Sequence, residues 1–161
     1  MDSIIPCLWF DDNAGEAVDF YLGIFPDSKI TDITRYPVSD HPAHEGREGK
    51  VLTIAFTLRG QPYTALNGGP HFRFNEAVSF QIMCEDQAEA DHYWEKLAAG
   101  GDPEAQQCGW VKDRFGLSWQ IIPKPFLALI QHPDEAIRTK AFRAMLDMKK
   151  LDLAALQSAI A

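Results

Sequence analysis

Apolar and polar positions along this chain alternate with two different periods. In Val78-Ser79-Phe80-Gln81-Ile82, and again in Leu117-Ser118-Trp119-Gln120-Ile121, every second residue is apolar. That is the period of a strand with one buried face. Leu52-Thr53-Ile54-Ala55-Phe56-Thr57-Leu58 sets Thr53 and Thr57 against apolar neighbours in the same way. In Tyr63-Thr64-Ala65-Leu66-Asn67 the Tyr63, Ala65, Asn67 face reads as the more polar. Helical spacing governs residues 14–25, where Ala17, Phe20, Tyr21 and Ile24 share a face behind the capping candidates Asp11, Asp12 and Asn13. It returns over residues 87–99, ended by Gly100-Gly101. Strands are predicted over residues 4–10, 29–36, 50–58 and 62–67, and then over 76–84, 107–112 and 117–123. A polar loop fills residues 37–49, and Asn67-Gly68-Gly69-Pro70 is a hard break.

The second run of elements repeats the first. Asp12-Asn13-Ala14-Gly15-Glu16-Ala17 resembles Asp86-Gln87-Ala88-Glu89-Ala90 with Gly15 skipped, and the aromatic pair Phe20-Tyr21 matches Tyr93-Trp94. The fold class that follows is α+β: two β-α-β-β-β modules over residues 1–123, whose mixed sheets curve into a cup. A helical tail over residues 124–161 completes the chain. Its stripe of Ile137, Ala141, Met145 and Met148, and a last helix capped by Asp152 with Leu153, Leu156 and Ile160 on one face, read as core or dimer packing.

Charge narrows the function classes. A net charge of −8 leaves no basic surface of the kind that gives affinity for nucleic acid or anionic membranes. No apolar run approaches a membrane span of roughly 18 residues, and the N-terminus carries no signal pattern. Cys7, Cys84 and Cys108 are an odd set that fits buried thiols in a reducing cytoplasm.

The apolar strand faces are expected to carry the two helices, leaving the opposite faces to line the cup. The candidate lining is Tyr63, Asn67, Ser79, Gln81, Trp110, Ser118 and Gln120, neutral hydrogen-bonding groups suited to a small organic ligand. An ordinary half-exposed sheet with a wet outer face is the alternative. His41 and His44, with Asp40 and Glu48 nearby, are a loose metal candidate set against a solvated loop. Lys112-Asp113-Arg114 reads as an anion-steering turn or a solvated hairpin tip, and His71 as an acid-base group or a surface histidine. His92 and His132 read as structural, and Cys108 as a buried thiol more than a nucleophile. Trp9, Trp94 and Trp119 are expected between sheet and helix.

Several segments together resemble a known family. They are Trp9-Phe10-Asp11 with Ala17-Val18-Asp19-Phe20-Tyr21, Phe25-Pro26-Asp27-Ser28-Lys29-Ile30, Leu66-Asn67-Gly68-Gly69-Pro70, Phe74-Asn75-Glu76-Ala77-Val78-Ser79-Phe80, and Cys108-Gly109-Trp110 through Asp113-Arg114-Phe115-Gly116-Leu117-Ser118-Trp119-Gln120. The set is similar to the PhnB-like branch of the vicinal oxygen chelate superfamily, often labelled 3-demethylubiquinone-9 3-methyltransferase-like. The resemblance spans roughly residues 4–123 and stops before the tail. It implies paired modules, frequent homodimers, and a divalent ion held by His, Gln or Glu at four strand positions. Those positions fall here at Pro6, near Tyr63, at Ser79 and at Gln120, a set too poor in carboxylate and imidazole to hold an ion. The resemblance therefore implies a small-molecule binder with no cofactor. The alternatives are an enzyme of the superfamily acting on a small oxygenated substrate, with or without metal, and a scaffold or regulatory dimer. Methyl transfer from S-adenosylmethionine usually needs a doubly wound domain with a G-x-G-x-x-G turn, and none stands in the chain.

Overall fold

A computed structural model describes residues 4–161. They fall into two compact units, one up to Arg73 and one from Phe74 onward.

The first unit runs β1 (Cys7–Phe10), α1 (Ala14–Leu22), β2 (Lys29–Arg35), β3 (Val51–Leu58) and β4 (Gln61–Asn67). Its mixed sheet has the order β1-β4-β3-β2, with β1 parallel to β4 and the other pairs antiparallel. Arg59 and Gly60 turn the β3–β4 hairpin with positive φ at both residues, 48° and 81°. Such a two-residue turn matches the right-handed twist of the strands it joins. Leu8, Phe10, Ile54, Phe56, Leu58, Tyr63 and Ala65 form a buried layer with Ala14, Ala17, Val18 and Tyr21 of α1. The expected caps Asp11, Asp12 and Asn13 leave the start of α1 without a side-chain bond of its own. Asn67, at the end of β4, supplies it: its Oδ1 accepts the Ala14 N–H at 2.9 Å. Asn67 is held in turn by donating Nδ2 to the Val51 carbonyl at 3.1 Å, and its own carbonyl accepts the Tyr36 hydroxyl at 2.5 Å.

The second unit runs β5 (Ser79–Cys84), α2 (Gln87–Ala98), β6 (Trp110–Lys112), β7 (Ser118–Pro123), then α3 (Lys124–Ile130), α4 (Glu135–Leu146) and α5 (Leu153–Ile160). The α+β class stands, but this repeat is one strand shorter than the first. A 3-10 turn at Pro103–Ala105 and the 107–110 bridge lead directly into β6. Its mixed sheet has the order β5-β7-β6. Ile82, Cys84, Val111, Trp119 and Ile121 are buried, as are Ala90, Tyr93, Trp94 and Leu97 of α2. α2 starts at a clean cap: the Asp86 carboxylate accepts the Glu89 N–H at 2.9 Å, and the Glu89 carboxylate accepts the Glu85 N–H at 2.7 Å.

The β6–β7 turn is not a solvated tip. Asp113 is 2% exposed, and its carboxylate accepts the N–H groups of Phe115 and Leu117 and the Trp119 indole N–H, at 2.8, 3.1 and 2.9 Å. Arg114 donates to the Ala99 carbonyl, and Lys112 pairs with Glu76.

The tail packs on the second unit. Phe126, Leu151 and Leu156 form a cluster with Ile122 of β7, joined by Met83 of β5. The expected helix over residues 134–149 is α4, capped by Asp134, and Asp152 caps α5 by accepting the Ala155 N–H at 2.9 Å. α3 was not expected. Pro125 lies in its first turn, where a missing N–H costs nothing. Among the described residues no helix is long and apolar enough to cross a membrane.

Candidate functional site

Strand register decides which side chains share the open face of the second sheet. Ser79 lies opposite Ser118, Gln81 opposite Gln120, and Gln120 opposite Trp110. All five therefore point away from α2. Three of them are joined: Gln120 Nε2 donates to the Ser79 hydroxyl at 2.8 Å, and Gln81 Nε2 donates to Gln120 Oε1 at 3.4 Å. Gln81 is exposed, while Ser79, Gln120 and Trp110 are half-buried. The Trp110 indole N–H has no hydrogen-bond partner among the described residues. Ser118 shares the face but is 2% exposed and offers nothing to a ligand. The row carries no charge. It presents hydroxyl, amide and indole groups that donate and accept, so it can bind a neutral polar molecule but cannot by itself act as a strong acid, base or nucleophile.

Two expected members of this lining stand elsewhere. Tyr63 pairs with Phe56 in register and stacks on it at 5.5 Å, in the layer buried beneath α1. Asn67 faces the same way and serves as the α1 cap. The open face of the first sheet carries Thr53, Thr57, Thr64, Leu66, Cys7 and Trp9 instead, and Thr34 bonds Thr53 there at 2.5 Å. Trp9 thus does not pack between sheet and helix. Its indole N–H donates to the Gly69 carbonyl at 2.8 Å and its ring meets Phe72 edge-on at 4.9 Å. A Cβ on Gly68 would lie 2.3 Å from that ring, so glycine here seats the indole. Trp94 and Trp119 lie between sheet and helix as expected.

The residues at the superfamily's metal positions do not fit an ion. Pro6 offers only its carbonyl, which already accepts the Thr64 N–H at 2.9 Å. Burial pushes the Tyr63 phenol up, which keeps its proton on and makes it a poor ligand. Ser79 and Gln120 bond each other. His41 and His44 are neighbours, with ring centroids 5.4 Å apart, but His41 Nδ1 accepts the Ala43 N–H. Among the described residues no three His, Cys, Asp or Glu side chains converge to hold a metal. His71 is exposed, and so is Cys7, against the expectation of buried thiols. The Cys7 thiol is pushed up by desolvation, which works against a reactive thiolate.

A concavity of about 710 Å³ was not anticipated. It lies wholly within the first unit. Asp11, Asp12, Glu16, Tyr36, Arg47 and Lys50 are among the residues that line it. The Arg47 guanidinium lies over the Tyr36 ring at 5.6 Å and donates to the Tyr36 hydroxyl and the Asn67 carbonyl at 3.3 and 3.4 Å. The contributing residues are scattered over a loop, a helix start and a strand end, and no sequence period links them.

Residues 2–122 match the family described as 3-demethylubiquinone-9 3-methyltransferase. The PhnB protein from Bacillus cereus is 33% identical, with 76% of this chain covering 99% of that one at a TM-score of 0.62. A protein from Pseudomonas aeruginosa is 22% identical, with coverage of 76% and 98% and a TM-score of 0.60, a likeness of fold. A glyoxylase/bleomycin resistance protein/dioxygenase domain from Frankia sp. EAN1pec, at 14% identity, coverage of 76% and 92% and a TM-score of 0.48, is a distant likeness only. No curated protein matches. The chain belongs to the 3-demethylubiquinone-9 3-methyltransferase family and is similar to its PhnB protein.

Proposed function

We propose that this protein binds a small, neutral organic molecule on the open face of the second sheet, without a divalent ion. One observation carries the reading: Ser79, Gln120 and Gln81 form a hydrogen-bonded chain across β5 and β7 where the superfamily places ion ligands. Each amide keeps unused donors or acceptors, and Trp110 adds an indole N–H beside them. Such a row orients a ligand by shape and hydrogen bonds. Its neutrality disfavours charged ligands, whose desolvation it does not offset. The protein acts in the cytoplasm as a homodimer; its unpaired cysteines and the exposed Ile30 and Ile33 of edge strand β2 support this.

The test pairs two variants with an elemental measurement. Gln120→Leu should weaken binding by the worth of one hydrogen bond, about 0.5–1.5 kcal/mol, and leave the melting temperature nearly unchanged. Trp119→Ala, one residue away on the buried face, should cost on the order of 3–5 kcal/mol of stability. Protein purified without chelator should hold no stoichiometric zinc, nickel or manganese. One ion per chain, lost in Gln120→Ala, would defeat the reading.

A second reading rests on the cleft of the first unit. Its lining holds both carboxylates and cations, which suits a small zwitterion, and titration of free amino acids against the parent and Arg47→Ala tests it.

A further inference from the structure

The open face of the second sheet does not run unobstructed from end to end. Successive rows along β5 and β7 are Ser79 with Ser118, Gln81 with Gln120, and Met83 with Ile122. The last row lies on the same face as the other two, two residues further along each strand. Ile122 is 8% exposed there, buried in the cluster made by Phe126, Leu151 and Leu156, and the half-buried Met83 packs against that cluster. The tail therefore stands on the ligand face. Its edge begins one row from Gln120, about 7 Å at roughly 3.3 Å per strand residue.

The tail is fastened as a fixed wall. The Cys108 and Gly109 N–H groups donate to the Met148 and Lys149 carbonyls at 2.8 and 2.7 Å, both from residues with positive φ that turn their amides toward it. Gln107 Nε2 donates to the Leu146 carbonyl at 2.7 Å. Gln87, at the start of α2, donates to the Leu151 carbonyl at 3.1 Å and accepts the Leu153 N–H at 2.8 Å. Lys150 pairs with Asp91 at 2.6 Å. At the opposite end the row of Ser118 is flanked by Lys112, which is paired with Glu76. Polarity thus grades along β7, from an ion pair through hydroxyl and amides to thioether and hydrocarbon.

We propose that the tail sets ligand specificity: the molecule is a short amphiphile whose neutral polar head meets Gln120 and Ser79 and whose apolar end lies against Met83 and the tail. This rests on the binding face proposed above and adds the ligand's class and direction. The family match ends at residue 122, and 76% of this chain suffices to cover 99% of the Bacillus cereus structure. The wall is therefore this chain's addition to a shared sheet.

The experiment uses the full chain and a graded series of primary carboxamides, from acetamide to octanamide, titrated by NMR on the Gln120 side-chain amide and the Met83 methyl. Affinity should rise about fourfold per methylene in the shorter members, the gain expected from burying each CH2. It should stop rising when the chain meets the wall. Met83→Ala should move that limit to a longer amide and Met83→Phe to a shorter one. Two substitutions of opposite size keep the test informative if one fails to fold, which circular dichroism reports. Gln120→Leu should weaken the whole series without moving the limit. An unbroken climb to octanamide, or a limit that neither Met83 variant moves, overturns the wall and leaves the head contact standing. Gln120→Leu binding every amide as tightly as the parent, or a parent that binds none, overturns the binding face as well.

Discussion

Trp119→Phe isolates one bond in the second unit. The parent indole is 2% exposed and donates to Asp113 at 2.9 Å, while the same carboxylate accepts two backbone N–H groups of its turn. Phenylalanine keeps an aromatic ring against α2 but removes the N–H. The lost bond to a charged group is worth about 1.5–3 kcal/mol. The small void left by the shorter ring costs about 1 kcal/mol more. The expected loss is roughly 2.5–4 kcal/mol. For a chain of this length that lowers the melting temperature by roughly 5–15 °C. Urea unfolding followed by circular dichroism gives the free energy directly. The deciding measurement is a cycle with Asp113→Asn, which puts an amide N–H where the indole donor needs an acceptor. The two changes share one bond, so the pair should cost about 1–2 kcal/mol less than the sum of the singles. Strict additivity, or a Trp119→Phe variant within about 0.5 kcal/mol of the parent, would refute the account of Asp113 as a buried anchor.

Asn67→Ala strands the Ala14 N–H and the Val51 carbonyl at once; it should cost about 2–4 kcal/mol in a thermal melt and leave carboxamide binding to the second unit unchanged. The Asp91 carboxyl is held below the usual carboxylate range by the Lys150 ammonium and by Gln87, so its contribution is full above the unfolded value and fades as pH falls through the lower folded one. Hydrogen-exchange protection of the Leu153 amide should fall in that acid window, modestly because the pair is open to solvent, and Lys150→Ala should remove the dependence; protection that stays flat in the parent counts against the fastening. Light scattering at micromolar concentration should show twice the 18.1 kDa chain mass, and a monomer would refute the dimer.

The legible parts of this molecule are those where one local pattern decided the outcome. Over residues 78–82 and 117–121 every apolar residue falls on one parity, so the directions of Gln81, Gln120 and Trp119 could be read without coordinates. In β4 each face mixes polar with apolar residues, Thr64 and Leu66 against Tyr63, Ala65 and Asn67, so composition could not choose. Pairing with Phe56 and Ile54 chose instead, and it sent Tyr63 and Asn67 under α1. The α1 cap was illegible because its partner is distant in sequence, whereas the Asp86 cap of α2 was adjacent. Lys112-Asp113-Arg114 looked solvated because three charges in a turn usually are; the carboxylate is buried because three N–H groups surround it. The tail's stripes announced packing but not its place, since a hydrophobic stripe names no partner. The first-unit cleft joins loop, helix start and strand end, which only folding brings together.

The placement of Asn67 also bears on the order in which the first unit assembles. Its side chain reaches back 53 residues to Ala14 and 16 to Val51, and its carbonyl takes the Tyr36 hydroxyl from 31 residues away. Until β4 has docked, the first turn of α1 lacks its acceptor and the Tyr36 hydroxyl lacks its anchor. A nine-residue helix is too short to persist alone in water. Early, local helix formation therefore gains little, and the entropy of closing the longest of these loops must be met before any of the contacts return it. The first turn of α1 and the anchor of the Tyr36 hydroxyl are therefore completed only once β4 is in place.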